Sequence, residues 1–403
     1  MAADIPSRRN VLRLAAGGAA TAALSGCDLP DRGPPVPLGS TTKATVLGLK
    51  NERFFPVSGA GPLESEFMGA MIGQMKARGV RSVADMPKLK FLAISGGGEN
   101  GAFGAGLLCG WTAQGTRPVF DLVTGVSTGA LSAPFAFLGS EYDPQLRAVY
   151  TETNASQILS KRRLLAAVFS DAMADNDPLY RTISKYLDDR MIRAIAAAYD
   201  AGRLLLIGST DLDAQVPVIW NIGAIAKSGH PKATETICRI LLASAAIPGA
   251  FPPTMVDVTI DGKPYQEMHV DGGAFAQTFL YPAALTDNRL ERKRRGQPVI
   301  EASAYIIRNG RLDPEWATVE RRTLGIAGRA ISTMIAASGY NDVIRIYNTT
   351  QRDGIDYNLA YIGRDFDMEL TEPFEPTYMR ALFDYAYKKS AQGYDWAKRP
   401  PIL

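Results

Sequence analysis

Gly125-Val126-Ser127-Thr128-Gly129 spells Gly-x-Ser-x-Gly. An apolar run, Phe120 to Val126, enters it, and a helix-permissive run, Ala130 to Leu138, leaves it. That context predicts a strand, a sharp turn and a helix with a serine at the apex. Such a turn strains the serine backbone and crowds the positions two residues either side, which therefore read as glycine, Gly125 and Gly129. The hydroxyl is lifted clear of the sheet edge. A helix starting just behind it adds partial positive charge where an oxyanion would form. The chemistry this favours is nucleophilic attack on an acyl group; the plainer alternative is a serine capping a helix in an ordinary βα turn.

Two further stretches supply complementary groups. The buried-type strand Leu89 to Ser95 runs into Gly96-Gly97-Gly98-Glu99-Asn100-Gly101 and then a small-residue helix, Ala102 to Trp111. Bare backbone amides at a helix N-terminus make an anion cradle. Gly96, Gly98 and Gly101 also satisfy the dinucleotide pattern Gly-x-Gly-x-x-Gly, so a pyrophosphate grip and an oxyanion hole both fit. A dinucleotide fold needs an acidic residue closing its second strand, whereas here Asp121 lies near the strand's start and the strand ends at the serine turn, which favours the oxyanion hole. Later, the strand Tyr265 to Val270 leads into Asp271-Gly272-Gly273. An aspartate at a strand end before two glycines suits a polar catalytic partner; a simple Asp-Gly turn is the alternative.

These three motifs, together with Ala243-Ser244-Ala245-Ala246-Ile247-Pro248 running on to Phe251-Pro252-Pro253, stand in an order that resembles the patatin-like phospholipase family, over about Leu89 to Arg308. The resemblance implies a three-layer α/β/α fold with a mainly parallel central sheet. It also implies a Ser-Asp dyad hydrolysing lipid acyl esters through an acyl-enzyme, with no cofactor and no metal. Carried over by position, Ser127 is the nucleophile and Asp271 its partner, and backbone amides of Gly97 and Gly98 bind the oxyanion. Gly96, Gly101, Gly125, Gly129, Gly272 and Gly273 are the motif glycines. Asn100 stands where many family members have Arg or Lys, so a charged helper beside the oxyanion is not expected from that position. Acyl transfer to an alcohol from the same dyad, or an inactive lipoprotein scaffold, are the competing readings.

A carboxylate is a poor base in water, so such a site must be partly dry. The chain has two histidines. His230 lies in a polar Gly229-His230-Pro231 turn. His269 precedes Asp271 by two residues on a strand and so projects to the same side; it is expected to be structural, with a base role as the alternative. So few histidines leave no histidine-rich metal site, and the three cysteines show no zinc spacing. Cys109 and Cys238 sit in apolar helical patterns, as small buried thiols do.

The rest of the chain positions these groups. Its 403 residues, 46% hydrophobic and 21% charged, supply a large core. The net charge of +3 calls for no nucleic-acid partner. Residues 1–26 read as an export leader: Ser7-Arg8-Arg9-Asn10-Val11-Leu12-Arg13 resembles a twin-arginine signal, and Leu24-Ser25-Gly26-Cys27 resembles a lipobox. The expectation is a cell-envelope protein anchored in a membrane through lipidated Cys27. Residues 27–45 read as a Pro/Gly-rich tether and 46–88 as a helical extension with one helix over Pro62 to Arg78. Residues 89–310 form the catalytic core, and 311–403 a C-terminal α/β extension. A helical stripe, Leu179, Ile183, Leu187 and Met191, begins at Asp177-Pro178. The basic run Arg289 and Arg292 to Arg295 reads as a solvated loop or a contact for anionic headgroups.

Overall fold

The computed structural model describes residues 32–153, 158, 160–161, 174–175, 177–282 and 286–401. The leader, Cys27 and the start of the tether lie outside the described residues.

Among the described residues the main sheet contains β1 (Arg53–Phe54), β2 (Leu89–Ile94), β3 (Leu122–Val126), β4 (Leu204–Asp211), β5 (Val216–Asn221), β6 (Thr254–Ile260), β7 (Lys263–Asp271), β8 (Ala302–Arg308) and β9 (Asp356–Tyr361). Their order is β1-β5-β4-β3-β2-β8-β9. From β4 to β9 every pairing is parallel, while β5 and β1 close one edge antiparallel. The hairpin β6–β7 leans on β4 through the last residues of β7.

Parallel neighbours need crossovers, and helices supply them. Helix α1 (Gly61–Ala77) precedes β2, and α2 (Gly101–Gln114) joins β2 to β3. After β3 come α3 (Thr128–Leu138), α4 (Asp143–Thr151), α5 (Asp177–Tyr186) and α6 (Asp189–Asp200). Helices α7 (Ile222–Lys227) and α8 (Ala233–Ser244) lead to β6. The chain then adds α9 (Asp287–Arg294), α10 (Thr323–Asp353) and α11 (Pro376–Ala391). Strand side chains alternate between two cores, as a sheet covered on both faces requires. Leu92, Ile94, Val123, Leu205 and Ile207 pack with α2, α3, α8 and α11 on one face. Ala93, Leu122, Leu204 and Leu206 pack with Leu63 of α1 and with Val343 and Ile346 of α10 on the other. The result is a three-layer α/β/α fold with a mostly parallel sheet.

The small residues of α2 are explained by α11. A Cβ at Gly106 would lie 2.2 Å from the Phe383 carbonyl oxygen, and one at Gly110 would lie 2.3 Å from that of Tyr387. Only glycine lets the two backbones approach so closely.

Several features differ from the sequence reading. The stripe Leu179, Ile183, Leu187 and Met191 is buried throughout, yet it spans two helices, with the Asp188 carboxylate capping the second by accepting the Met191 amide at 2.8 Å. Residues 32–45 lie along the β6–β7 hairpin: Arg32 pairs with Asp213, the Gly33 amide donates to Gln266 Oε1 at 2.7 Å, and Thr45 exchanges backbone bonds with Thr259 at 3.0 and 2.8 Å. Cys109 and Cys238, by contrast, are the buried free thiols that their apolar helical patterns predict, and burial pushes the Cys109 thiol up to about 12. The basic run lies on and just past the short helix α9, where Glu291 pairs with Arg294 and Arg295.

The α2–α11 contact is open to test. Gly106→Ala forces α11 outward and is expected to cost about 1–3 kcal/mol of stability, read as a lowered thermal midpoint. An unchanged midpoint would mean that the two helices do not touch here.

Candidate active site

Strand β3 delivers Ser127. Its last pairing with β4 is Val126 opposite Gly208, and the chain then turns sharply into α3. Ser127 holds φ 56° and ψ −128°, a positive φ that non-glycine residues rarely adopt and that stores strain. A Cβ at Gly129 would meet the Ile94 carbonyl oxygen at 2.3 Å, and one at Gly125 the Gly129 carbonyl oxygen at 2.6 Å. Ser244, which the sequence placed in a motif without a role, braces the turn: its Oγ accepts the Ser127 amide at 3.0 Å and donates to the Gly208 carbonyl at 2.6 Å.

Strand β7 delivers Asp271 to the position that β3 vacates. Once β3 has turned away, β4 pairs its next residue, Ser209, with Asp271. The Asp271 amide donates to Ala246 O at 2.9 Å, and its carbonyl accepts from Thr210 Oγ1 at 3.2 Å. Oδ1 accepts the Gly273 amide at 2.7 Å. Oδ2 is buried without a hydrogen bond of standard geometry, although the Ser127 hydroxyl beside the carboxylate favours its charged form. Burial is the larger effect and outweighs both that hydroxyl and the Gly273 amide, raising Asp271 to about 6.

The glycine-rich loop faces this pair. A Cβ on Gly96 would lie 3.1 Å from Ser127 Cβ. The Gly96 amide donates to Gln277 O at 2.9 Å and the Asn100 amide to Gly97 O at 3.1 Å. Between them, the amides of Gly97 and Gly98 have no protein acceptor among the described residues. Gly98 sits at φ 57°, and a Cβ on Gly97 would lie 2.0 Å from Asn309 O. One on Gly101 would lie 2.1 Å from Thr128 Oγ1, and one on Gly272 would lie 2.5 Å from Gly208 O. Asn100 accepts a bond from Tyr378 Oη at 2.7 Å. Two side chains outside the motifs hold the loop, Arg308 donating to Gly96 O at 3.2 Å and Asn309 Nδ2 to Ser95 O at 2.8 Å, while Gln277, whose carbonyl accepts the Gly96 amide, donates its Nε2 to Gly273 O at 2.9 Å. Gln277 thereby ties the glycine-rich loop to the turn that follows Asp271.

A narrow cavity of about 80 Å³ touches Gly98 and Ser127. Its wall is mainly apolar, from Leu131, Phe135, Ile158, Leu179, Ile183 and Phe251. Glu99 also lines it, and burial raises the pKa of that carboxyl above its ordinary value. Neither histidine joins the pair. His230 is exposed, and its Nδ1 accepts the Lys232 amide at 3.1 Å. His269 is fully buried, with Nδ1 bonded to Ser209 Oγ at 3.0 Å and Nε2 to Glu267 at 3.1 Å. Asp211, Glu267 and His269 are the group of potential metal ligands among the described residues. Arg53 already holds both Glu267 oxygens, so a cation there would compete with a guanidinium. Burial acts against the Glu267 charge, but the His269 bond and Arg53 prevail and hold it down to about 2.

Comparison with known proteins adds three findings. Residues 92–284 match the patatin-like phospholipase family model. No curated protein matches the chain significantly. Among solved structures, the crystal structure of VipD from Legionella pneumophila superposes with a TM-score of 0.38 and 11% identity, covering 76% of this chain and 66% of that one.

The buried Asp271 carboxyl has a measurable cost. Below its ordinary value of 3.8 it is protonated both folded and unfolded and contributes nothing. As pH rises, the unfolded chain ionises first. Above about 6 the folded state carries a buried charge, and stability has fallen by about 2–3 kcal/mol. Asp271→Asn is therefore expected to stabilise the protein by that order at pH 8 and to leave it unchanged at pH 3, read by denaturant melts. A destabilised variant at pH 8 would contradict the buried, strained carboxylate.

Proposed function

We propose that this chain is a lipid acyl hydrolase that cleaves fatty-acyl esters of lipids with Ser127 as nucleophile and Asp271 as its base, a reading supported by the match of residues 92–284 to the patatin-like phospholipase family model. The observation that carries the reading is the exchange of strand partners on β4, which sets Asp271 where the residue after Val126 would otherwise pair.

The chemistry follows from the groups in place. Ser127 Oγ attacks the ester carbonyl carbon, and its proton passes to Asp271, whose Oδ2 is the oxygen without a standard partner. Burial raises the basicity of that carboxylate to about 6, so at neutral pH it is ionised yet a far better base than one in water. The Ser127 amide is engaged by Ser244, so the oxyanion is left to the amides of Gly97 and Gly98, at the start of the turn that leads into α2. The C–O bond of the tetrahedral adduct then breaks, the alcohol leaves with the proton from Asp271, and an acyl group remains on Ser127. Water, deprotonated by Asp271, attacks that ester, and Ser127 leaves with the proton as the fatty acid is released. The apolar cavity beside Ser127 suits an acyl chain. Export and anchoring through Cys27 are part of the same proposal, since a tethered hydrolase meets bilayer lipids at high effective concentration.

The test is digestion of a panel of phospholipids and neutral glycerides, with products identified by mass. Wild type is expected to release free fatty acid, Ser127→Ala none, and Asp271→Asn at least about a hundredfold less. His269→Ala should keep most of the rate per folded molecule. Fatty-acid release by Ser127→Ala at the wild-type rate, or loss with His269→Ala in place of Asp271→Asn, would overturn the assignment.

A further inference from the structure

Helix α10 is longer than the sheet it crosses. From Gly339 onward it is held: a Cβ at Gly339 would lie 2.6 Å from the Arg308 guanidinium carbon, and Asp342 accepts the amides of Gln277 and Thr278 at 2.7 and 3.2 Å. Val343 and Ile346 are in the core, and Asp353 accepts from Tyr281 Oη at 3.0 Å, next to the start of β9. This half therefore runs from the sheet edge that carries Ser127 to the opposite edge. The remaining residues, 323–338, continue for roughly 24 Å past the active-site edge at 1.5 Å per residue.

That overhanging arm is two-sided. At about 100° per residue, Gly325, Arg329 and Gly339 share one arc, and this arc touches the protein. A Cβ on Gly325 would lie 3.1 Å from Glu320 O, the Arg329 guanidinium donates to Glu315 O, and Gly339 abuts Arg308. The other arc carries Ile326, Ile331 and Met334, exposed at 51%, 53% and 69%, with the less exposed Ile335 at its border. Trp316, just before the arm, is 89% exposed. Phe275, four residues after Asp271, is also exposed on the active-site edge. Exposed apolar side chains gathered on one helical arc in this way mark an interaction site. Between residues 321 and 338 the charged side chains are Arg321, Arg322 and Arg329, with no carboxylate. No described helix is long and apolar enough to cross a membrane.

We propose that residues 323–338 form an interfacial arm that lies in the surface of an anionic bilayer, sinking Ile326, Ile331 and Met334 below the headgroups while the exposed Arg321 and Arg322 at its start meet lipid phosphates. An amphipathic helix with a cationic flank partitions in this way. The charge argues against a second copy as occupant, because self-pairing would bring the arginines of two arms together, whereas phosphates neutralise them. The inference rests on the lipid-hydrolase reading for its purpose: the arm sets the mouth at Ser127 against the surface that holds the substrate.

The experiment uses the full chain carrying Ser127→Ala and Cys27→Ser, so that neither digestion nor an acyl anchor contributes. Flotation is measured with vesicles of equal parts phosphatidylcholine and phosphatidylglycerol. The paired substitution Ile331→Glu and Met334→Glu is expected to lower partition at least about tenfold without shifting the melting temperature. With Ser127 restored, the same pair should leave hydrolysis of a short water-soluble ester unchanged and lose most hydrolysis of vesicle lipid. Equal flotation of parent and variant would overturn the proposal. So would a parent that does not float and is instead a dimer made monomeric by the substitutions. Absence of soluble-ester hydrolysis in the parent would sink the catalytic reading, while the flotation result would still decide the role of the arm.

Discussion

One strand changing partners is what the rest of this structure depends on. Strand β4 pairs with β3 up to Gly208 and with β7 from Ser209 onward. The backbone groups of β4 that β3 abandons at its turn are thus met by the last three residues of β7. The same exchange brings a serine hydroxyl and an aspartate carboxylate together from sites far apart in the chain. The glycines of both motifs serve this exchange: a side chain at Gly125 or Gly129 would block the turn, and one at Gly272 would strike Gly208.

The carboxylate so delivered is held against its own preference for water. Its neighbours along β7 show how the fold manages that. Glu267 and His269 project from the same side of the strand as Asp271, and both are fully buried. Arg53, from the short edge strand β1, holds both oxygens of Glu267 and stacks over Trp220, while His269 bridges Glu267 to Ser209. Those charges are paired and hydrogen-bonded, as buried charges must be. Asp271, by contrast, is given one backbone amide and one hydroxyl. The difference holds the Glu267 carboxyl down to about 2 and leaves that of Asp271 raised to about 6.

What was legible in the sequence was whatever the local backbone demands. Gly-x-Ser-x-Gly between an apolar run and a helix former can hardly adopt another shape, and the glycine-rich loop and Asp-Gly-Gly are written in the same terms. Strands β2, β3, β4 and β5 and helices α2 and α8 also stand within a few residues of their apolar runs. Contacts made across long separations had no such signal. Ser244, Gln277, Arg308 and Asn309 position the site through hydrogen bonds that impose no spacing along the chain. Strand β8, between β2 and β9, has no turn motif to announce it, and the exposed alternate residues of β6 weaken its pattern. Helix α10 carries no single pattern along its length, because half of it follows the core's periodicity and half does not. The stripe from Leu179 to Met191 is the opposite case: one apolar period served two helices, and the cap at Asp188 divided them.

The most direct test of the central claim is the rate at which a serine-reactive phosphonate labels the protein, followed against pH with the adduct located by mass. The account predicts an adduct on Ser127 whose rate of formation rises as Asp271 ionises through about pH 6, and a slow, pH-independent rate in Asp271→Asn. Labelling of Ser127 in Asp271→Asn as fast as in wild type, or an adduct on another residue, would contradict it.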